Sequence, residues 1–498
     1  MKTVLHRLDA NRSSVPNTGN IPVTLYANEA VPVQRAALDE LGGLLEVQET
    51  VERHYRANPD AFTSVPEVQR VAITPDFHKG SGIPIGTVLQ TKGFVVPQAI
   101  GSDINCGMRL HTTGLTEEAV LSNLDALERK LRRVFFEAGR SIPMTRAQRE
   151  ALLTAGLEGL CDAVPRAQQT GLWAHWHRQD WVRDLARTEE RGSLSAGLSA
   201  GFDDWLGQAD AFTRDAQIGS IGGGNHFVEI QRVERILDRS VAHAWGLRVG
   251  MVTIMVHTGS LGLGSQSAGL IRQMLRGAHP ENLPHPSNGI YLLPLRDDQR
   301  THTFWNALGN AANFAFANRA MLALMAWQCL EETITETEFP LLYDAPHNLV
   351  WQSGETMLHR KGATPARGLE EMQDTAFAYT GEPVLVPGSM GASSYVMAGM
   401  GNPEALSSAS HGAGRAVSRR QAARGHDAEF ERFLQEFRIV TALNWRHARG
   451  DIKTRKLEEL KQEAPHAYKN ILPVVETLEG AGLARRVAEL KPLLTVKG

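Results

Sequence analysis

The sequence is poor in cysteine: only Cys106, Cys161 and Cys329 occur in 498 residues. An odd and sparse count excludes a disulfide scaffold and favours a reducing compartment, so we expect a cytoplasmic protein. Cys161 and Cys329 lie in apolar runs of helical character, and we expect them to be buried and inert. Cys106 lies in a turn directly before Gly107, a position that suits a ligand better.

Long hydrophobic runs and a strong net charge are also missing. No apolar run approaches the length of a membrane span, and residues 1–7 contain no signal-peptide core, so we expect no membrane association. A net charge of −3 excludes a protein that binds polyanions with its whole surface. Nucleic-acid binding would need a local patch, and three basic runs offer one, although each also fits a solvated helix face: residues 129–133, 415–424 and 446–456.

Common nucleotide-binding motifs are absent too. The chain has no GxxxxGK[ST] loop and no strand–GxGxxG–helix unit, so any nucleotide site is of another type. Zinc-finger spacings, internal repeats and low-complexity linkers are missing as well. Because motifs are spread over the whole chain, we predict one large domain over residues 1–498 with a site drawn from distant segments.

Hydrophobic periodicity predicts a mixed α/β fold. The expected strands cover residues 71–74, 85–89, 93–96, 227–230, 251–256 and 383–387. The expected helices cover residues 32–41, 117–139, 145–164, 311–335 and 430–442, and the C-terminal part is expected to be helical up to a short extended tail. Thr145-Arg-Ala-Gln148 has the pattern of a helix-capping box. We interpret residues 115–215 as a helical insertion.

A stretch of small residues, Ser408–Gly414, surrounds His411 and precedes the basic, helix-like run 415–424. Small neighbours allow another group to approach the imidazole closely, so His411 is a candidate acceptor for a nucleotidyl group. An arginine four residues on, Arg415, is placed to meet a phosphate at a helix start. A loop histidine that caps a helix explains the same pattern.

Four further turns rich in glycine, proline or asparagine carry five residues of metal-ligand type: Asp103, Cys106, His226, His257 and His347. Oxygen, nitrogen and sulfur donors together suit a divalent ion such as manganese or zinc. Five donors exceed one tetrahedral shell, and a thiolate shared by two ions would use them all. Hydrogen-bonded turn histidines beside a buried thiol remain the alternative. In the Gly/Ser turn 388–395, Ser389 and Ser394 suit either phosphate and ribose contacts or simple turn chemistry.

The ordered set of motifs resembles the RtcB-type RNA ligases over nearly the whole chain. These motifs are PDFHKGSG (75–82), GSDINCGM (101–108), GGGNHFVE (222–229), HTGSLG (257–262), DAPHN (344–348), HRKGAT (359–364), PGSMGASSY (387–395), SASHGAGR (408–415), EAPHAYKN (463–470) and the terminal VKG (496–498). So many motifs in one order make the resemblance highly specific.

The resemblance implies roles for individual residues. His411 matches the histidine that takes GMP. The two matching manganese shells are Asp103, Cys106 and His226, and Cys106, His257 and His347, with the thiolate shared. The positions that match guanylate contacts are Asn225, Phe227, Glu229, Ser389, Ser394, Tyr468 and Lys497. The positions that match RNA-facing cations are Arg415, Arg360, Lys361 and Arg419. Asp76 and His78 match a motif without an assigned role, for which we expect a place behind the ligands.

The resemblance also implies a function and a fold. Such enzymes use GTP and two Mn²⁺ ions to join RNA 3′-phosphate or 2′,3′-cyclic phosphate ends to 5′-hydroxyl ends. An archease-like activator is a candidate partner. The implied fold is a mixed α/β globule with a β-sandwich-like core and flanking helices, and not a doubly wound sheet.

Two departures from the family pattern concern the RNA-end site more than the nucleotide site. Leu261 replaces an arginine that commonly follows the His257 motif, and Ile142-Pro-Met-Thr145 stands where relatives carry Gly-Val-Gly-Ser. Two alternatives therefore remain: a metal-dependent hydrolase of cyclic phosphates with impaired ligation, or a non-catalytic protein that binds RNA ends. The complete ligand set, His411 and Lys497 argue against the second alternative.

Overall fold

A computed structural model of the chain describes residues 5–137, 139–199, 201–213, 215, 217–296, 298–444 and 449–498. Part of the third basic run, residues 446–448, lies outside these ranges. Across the described ranges, none of the helices combines the length and apolar character needed to cross a membrane.

The strands are short at the N-terminus and longest in the two central sheets. In chain order they are β1 (His6–Arg7), β2 (Arg12–Ser14), β3 (Val23–Tyr26), β4 (Glu67–Ser81), β5 (Ile83–Lys92), β6 (Phe94–Val95), β7 (Gly107–Thr116), β8 (Phe227–Ile236), β9 (Met251–Thr258), β10 (Leu293–Pro294), β11 (Leu341–Pro346), β12 (Asn348–Ser353), β13 (Thr356–Lys361), β14 (Ala363–Pro365), β15 (Pro383–Val386), β16 (Ser394–Gly399), β17 (Ser408–Ser410), β18 (Ile439–Val440) and β19 (Ala484–Val496).

The helices alternate with these strands along the chain. They are α1 (Arg35–Leu45), α2 (Val47–Ala57), α3 (Glu117–Ser122), α4 (Leu124–Phe136), α5 (Arg146–Ala163), α6 (Arg178–Leu185), α7 (Asp203–Leu206), α8 (Arg239–Ala244), α9 (Leu261–Gly277), α10 (Gln299–Thr333), α11 (Arg419–Ala422), α12 (Asp427–Glu436), α13 (Gly450–Lys461) and α14 (Ile471–Gly480).

Two large sheets organise the molecule. One has the strand order β1-β2-β3-β4-β5-β13-β12, and the other has the order β11-β7-β9-β8-β19-β16-β15 with β18 beside β19. One apolar cluster draws side chains from both sheets, including Val88 of β5 and Met397 of β16. This shared cluster and the surrounding helices agree with the predicted mixed α/β fold.

The helices between β7 and β8 pack on α10, which is buried over most of its length. Leu152 and Trp173 from this region share one apolar cluster with Ile254 of β9 and Phe314 of α10. The region therefore shares its apolar core with β9 and α10. The interpretation of residues 115–215 as an insertion in a single domain stays a prediction.

Several predicted boundaries were wrong. The helix predicted over 117–139 breaks at Asn123, and the one predicted over 430–442 ends at Glu436 before β18. Within the basic run 415–424 only α11 is helical, and the expected short tail is instead the 13-residue strand β19. The C-terminal segment forms a long strand because it pairs with β8 on one side and β16 on the other. Such pairing depends on the tertiary structure and is not visible in the local sequence.

The capping box at the start of α5 is confirmed, because Thr145 and Gln148 exchange the expected hydrogen bonds. The helix is nevertheless interrupted at Ala155 and Gly156, where the backbone leaves helical geometry. Gly156 has a φ of +59°, and a Cβ there would lie 2.2 Å from the Gly192 carbonyl oxygen.

We therefore predict that Gly156→Ala destabilises the protein. Overpacking costs about 1–3 kcal/mol, and an alanine held in this positive-φ conformation adds roughly 1–3 kcal/mol of backbone strain. Gly269→Ala in α9 is the control, because nothing lies within 4 Å of its Cβ and the helix gains propensity. Thermal unfolding should show a lower midpoint for the first variant alone. Equal midpoints for the two variants would contradict the close packing at Gly156.

Candidate functional site

Four neighbouring strand ends bring the candidate metal ligands together. Cys106 directly precedes β7, His226 directly precedes β8, His257 lies near the end of β9, and His347 directly follows β11. The strands pair antiparallel in the order β11-β7-β9-β8, with Met108 and Phe227 both opposite His257. Since strand starts and ends meet at one edge of an antiparallel sheet, all four side chains reach the same place.

The side-chain distances are those of a compact cluster. Cys106 Sγ lies 3.3 Å from His226 Nε2 and 3.4 Å from His257 Nε2. His257 Nε2 lies 3.4 Å from His347 Nε2, and His226 Nε2 lies 3.0 Å from Asp103 Oδ2. All five residues predicted from the Gly-rich turns are therefore adjacent in the structure.

These donor atoms fit a divalent ion. The ligand atoms of Cys106, His226 and His257 all lie within 4.8 Å of one another. His347 Nδ1 is buried without a hydrogen-bond partner among the described residues. Facing imidazole nitrogens cannot all donate to each other, so a cation between them satisfies their lone pairs. Thiolate, imidazole and carboxylate donors suit manganese or zinc.

Burial sets the protonation of this cluster. It holds the pKa values of His257 and His347 well below the usual range, so both rings stay neutral and able to bind a metal. Burial, together with the Asp103 carboxylate, raises the pKa of the Cys106 thiol. Since a thiol ligand must lose its proton, the cluster favours a thiolate only when a cation is near.

His411 lies beside this cluster, with its ring centroid 4.7 Å from that of His347. It directly follows β17, which pairs with β14, and the amide groups of Gly362 and Ala363 donate to the His347 carbonyl. The short β14–β17 pair thus connects the metal-ligand cluster to the Ser408–Gly414 stretch.

Asp76 of β4 gives His411 a fixed orientation. Its carboxylate Oδ2 contacts His411 Nδ1 and also accepts from the His411 amide at 3.3 Å. The carboxylate is fully buried; burial raises its pKa, but the adjacent His411 and the Thr74 hydroxyl outweigh this and lower it. An ionised Asp76 accepts the proton on Nδ1 and leaves Nε2 with a free lone pair. Sequence reasoning had named Asp76 without giving it this role.

Two glycines explain the close approach of these strands. A Cβ at Gly414, whose φ is +73°, would lie 2.1 Å from the Asp76 carbonyl oxygen. A Cβ at Gly412 would come no closer than 3.3 Å to its nearest neighbour, the Pro387 oxygen. The small residues around His411 thus serve contact with Asp76 as well as access to the ring.

The cluster and His411 line one cavity of about 1100 Å³. It also contains most residues that match guanylate contacts: Asn225, Phe227, Glu229, Ser389, Tyr468 and Lys497. Ser394 is the exception, since it lies behind the lining and its hydroxyl accepts from the Gly388 amide at 3.4 Å. Burial raises the pKa of Glu229 to about 7 and lowers that of Lys497 to about 8.

The C-terminus closes one side of the cavity. Lys497 Nζ donates to the carbonyl oxygens of Gly224 at 2.6 Å and His226 at 2.8 Å. Arg419 packs over Gly224 and pairs with Glu463, whose carboxylate also contacts Tyr468. Lys497 is therefore fixed by contacts with the turn that holds the candidate ligand His226.

The cations predicted to face RNA are placed differently from one another. Arg415 lines the cavity, but its guanidinium pairs with Glu463 and lies 5.0 Å from the centre of the Tyr468 ring. Lys361 lines it with its ammonium bound to the Ile83 carbonyl at 2.7 Å. Arg360 does not line the cavity, because its guanidinium donates to Ser408 and lies over Trp351.

Lys79, Arg272 and Arg420 are exposed cations at the cavity mouth. Sequence reasoning missed Lys79 and Arg272, whereas Arg420 lies in the basic run 415–424. The three cations lie on β4, on α9 and on α11, and none forms an ion pair within the part of the chain that the structure describes. Leu261, at the start of α9, does not line the cavity; its side chain packs against Gly222, and its backbone has a φ of +53°.

The geometry defines a mixed α/β protein with a side-chain cluster suited to a divalent ion, beside a carboxylate-bound histidine in a cavity with a basic mouth. The sequence model of one family, described as tRNA-splicing ligase RtcB, matches residues 60–498. The chain belongs to the RtcB family, and this membership supports an RNA ligase function.

Curated relatives agree with the family assignment. The chain is 32% identical to the tRNA-splicing ligase RtcB of Thermococcus kodakarensis, over 99% of both chains. It is 35% identical to the RNA-splicing ligase RtcB of Mycobacterium bovis, over 85% of this chain and 96% of the relative. A third relative, the tRNA-splicing ligase RtcB of Aeropyrum pernix, is 32% identical over 86% of this chain.

We predict that Gly414→Ala separates Asp76 from His411, whereas Gly412→Ala preserves their contact. The first Cβ overlaps backbone, and the second needs only a small shift. The ¹⁵N chemical shifts of the His411 ring, in protein labelled at histidine, report which nitrogen carries the proton. The Gly414 variant should lose the wild-type Nδ1–H signal. Retention of that signal in both variants would show that the strand approach does not depend on Gly414.

Proposed function

We propose that the chain is a GTP-dependent RNA ligase that joins RNA 3′-phosphate or 2′,3′-cyclic phosphate ends to 5′-hydroxyl ends through a covalent histidine–GMP intermediate. The contact between Asp76 and His411 Nδ1 carries this proposal, because it orients the ring and leaves Nε2 without that partner in the cavity. A histidine that is oriented by a carboxylate is suited to nucleophilic attack.

We propose that the ligand cluster holds two divalent ions, both Mn²⁺. Asp103, Cys106 and His226 would hold one ion, and Cys106, His257 and His347 the other. When bound, such ions neutralise phosphate charge and polarise the reacting phosphorus. Asp103 itself is fixed by the Leu261 amide, which donates to its Oδ1 at 3.2 Å.

The residues of the chain account for the first step. His411 Nε2 attacks the α-phosphorus of GTP, a P–N bond forms, and the P–O bond to pyrophosphate breaks. The Asp76 carboxylate accepts the Nδ1 proton in a hydrogen bond and stabilises the positive charge that develops on the ring. We propose that Glu229 and Lys497 contact the guanylate, together with Asn225, Phe227, Ser389, Ser394 and Tyr468.

The later steps use the same cavity. The GMP group passes from His411 to the RNA 3′-phosphate, and the P–N bond breaks as the new P–O–P linkage forms. The RNA 5′-hydroxyl then attacks the activated phosphate, and GMP leaves. A 2′,3′-cyclic phosphate is first hydrolysed to the 3′-phosphate.

The basic mouth suits the RNA substrate. Lys79, Arg272 and Arg420 are exposed and lack ion-pair partners among the described residues, so they are available to RNA phosphates. Arg415 and Arg419 become available as well if phosphate displaces them from Glu463. An archease-like activator stays a predicted partner.

The first test is covalent labelling with α-³²P-GTP and Mn²⁺. Wild-type protein should gain an acid-labile, alkali-stable label, as a phosphoramidate does, and His411→Ala should gain none. Asp76→Asn should label about 10²–10⁴-fold more slowly, because an amide that donates to Nδ1 leaves the proton on Nε2. Glu128→Gln, which removes a largely buried carboxylate paired with Arg132 and Arg438, is the control and should label normally.

Persistence of the label in His411→Ala would refute the nucleophile. Normal labelling of Asp76→Asn would instead refute only the proposed role of the carboxylate. Since each variant removes a different part of the pair, the two failures are distinguishable.

The second test concerns the shared thiolate. Cys106→Ala should lose Mn²⁺ binding in titration calorimetry and should not be labelled by GTP, because both ligand sets lose a member. Cys161→Ala and Cys329→Ala are matched controls, since these cysteines are also buried but lie outside the cavity. Two Mn²⁺ ions bound with wild-type affinity by Cys106→Ala would exclude the sharing of Cys106.

A further inference from the structure

The ligand cluster rests on two adjacent residues of α10 that the catalytic proposal does not use. Asn318 and Arg319 are both completely buried. Neither lines the cavity, so neither touches a bound nucleotide or RNA end. Their hydrogen bonds reach all four segments that carry the candidate metal ligands.

Arg319 connects three of these segments. Its NH1 donates to the carbonyl oxygens of Asn105 at 2.6 Å and Thr258 at 3.2 Å. These residues stand next to Cys106 and His257 in the chain. Its Nε donates to Asp344 Oδ1 at 2.8 Å, in the strand that leads to His347. A guanidinium suits this task because its planar fork of donors can serve several acceptors at once.

Asn318 connects the fourth segment. Its side-chain oxygen accepts from the Gly219 amide at 2.9 Å, and its amide nitrogen donates to the Ser220 carbonyl at 2.9 Å. The next residue, Ile221, accepts from His226 Nδ1 at 3.0 Å and so fixes that imidazole. The same Asn318 amide nitrogen lies 3.4 Å from the Gly259 carbonyl oxygen, beyond His257.

We propose that Asn318 and Arg319 are positioning residues that hold the four ligand-bearing segments in place before any metal ion binds. Side chains on a rigid buried helix lose little freedom when they fix neighbouring loops, and such support governs metal affinity. The consequence for metal binding rests on the proposed function, whereas the fixing of the segments does not.

The same helix offers a matched control. Asn310 is also completely buried, and its side chain makes equivalent hydrogen bonds, to the Ser199 amide and to the Leu153 and Gly197 carbonyls. These partners lie in the helical region between β7 and β8, away from the ligands. Asn318→Ala and Asn310→Ala therefore remove the same groups from the same helix and differ in the loops they release.

The test is hydrogen–deuterium exchange of metal-free protein, followed by Mn²⁺ titration of the same samples. In Asn318→Ala, exchange should rise roughly tenfold or more in residues 219–226 and 257–260. In Asn310→Ala, exchange should instead increase in residues 194–199. Mn²⁺ affinity should drop roughly 10–100-fold in the first variant only.

Arg319→Lys is a second variant. It keeps a positive charge that can pair with Asp344, but it loses the planar guanidinium group that donates to several acceptors at once. Its exchange should rise in residues 103–107 and 257–260 while the fold is kept. Unchanged exchange in the ligand segments of both Asn318→Ala and Arg319→Lys would overturn the proposal, as would an equal Mn²⁺ loss in Asn310→Ala. If the variants show locally raised exchange but the wild-type protein binds no Mn²⁺, the positioning role is upheld and the metal proposal is refuted.

Discussion

The backbone pairing of β7, β8, β9 and β11 is the constraint on which the candidate site depends. Residues from four distant parts of the chain become neighbours because two strands begin and two strands end at one edge of the sheet. A shift of one residue in any pairing would turn a ligand to the other face. The buried pair between Arg319 and Asp344 ties the ends of these strands to α10, and loss of one partner of such a pair typically costs about 3–5 kcal/mol.

The other large sheet, which contains β4 and β5, contributes Asp76 to the site. Its strand β4 carries Asp76 to His411, while the short β14–β17 pair sets His411 next to His347. His411 and the candidate ligand cluster thus come from different sheets, and the cavity is lined by residues from both large sheets, such as Ile85 of β5 and His257 of β9. This arrangement separates two demands: the cluster needs neutral imidazoles in a dry place, and His411 needs a buried carboxylate with a free nitrogen beside open space.

Charge is distributed in keeping with the proposed reaction. The overall charge of −3 gives no attraction for RNA, but Lys79, Arg272 and Arg420 meet at one mouth from three separate elements. Arg415 and Arg419 both pair with Glu463, whose single negative charge balances only one of their two positive charges. Local concentration of cations, rather than net charge, is what an RNA end would encounter.

The sequence by itself predicted the chemistry of this protein: residue types in Gly-rich turns named His411 and all five ligand candidates, and the order of motifs identified the family. It also predicted the mixed fold and the capping box at Thr145, because these depend on local pattern. Only the tertiary structure decided which residues support that chemistry. The sequence named Asp76 only as part of a motif without a role and did not single out Arg319. Arg360 turns away from the cavity, and the expected short tail is the central strand β19. Long-range pairing and burial set these outcomes, since they join segments hundreds of residues apart, and no local pattern encodes them.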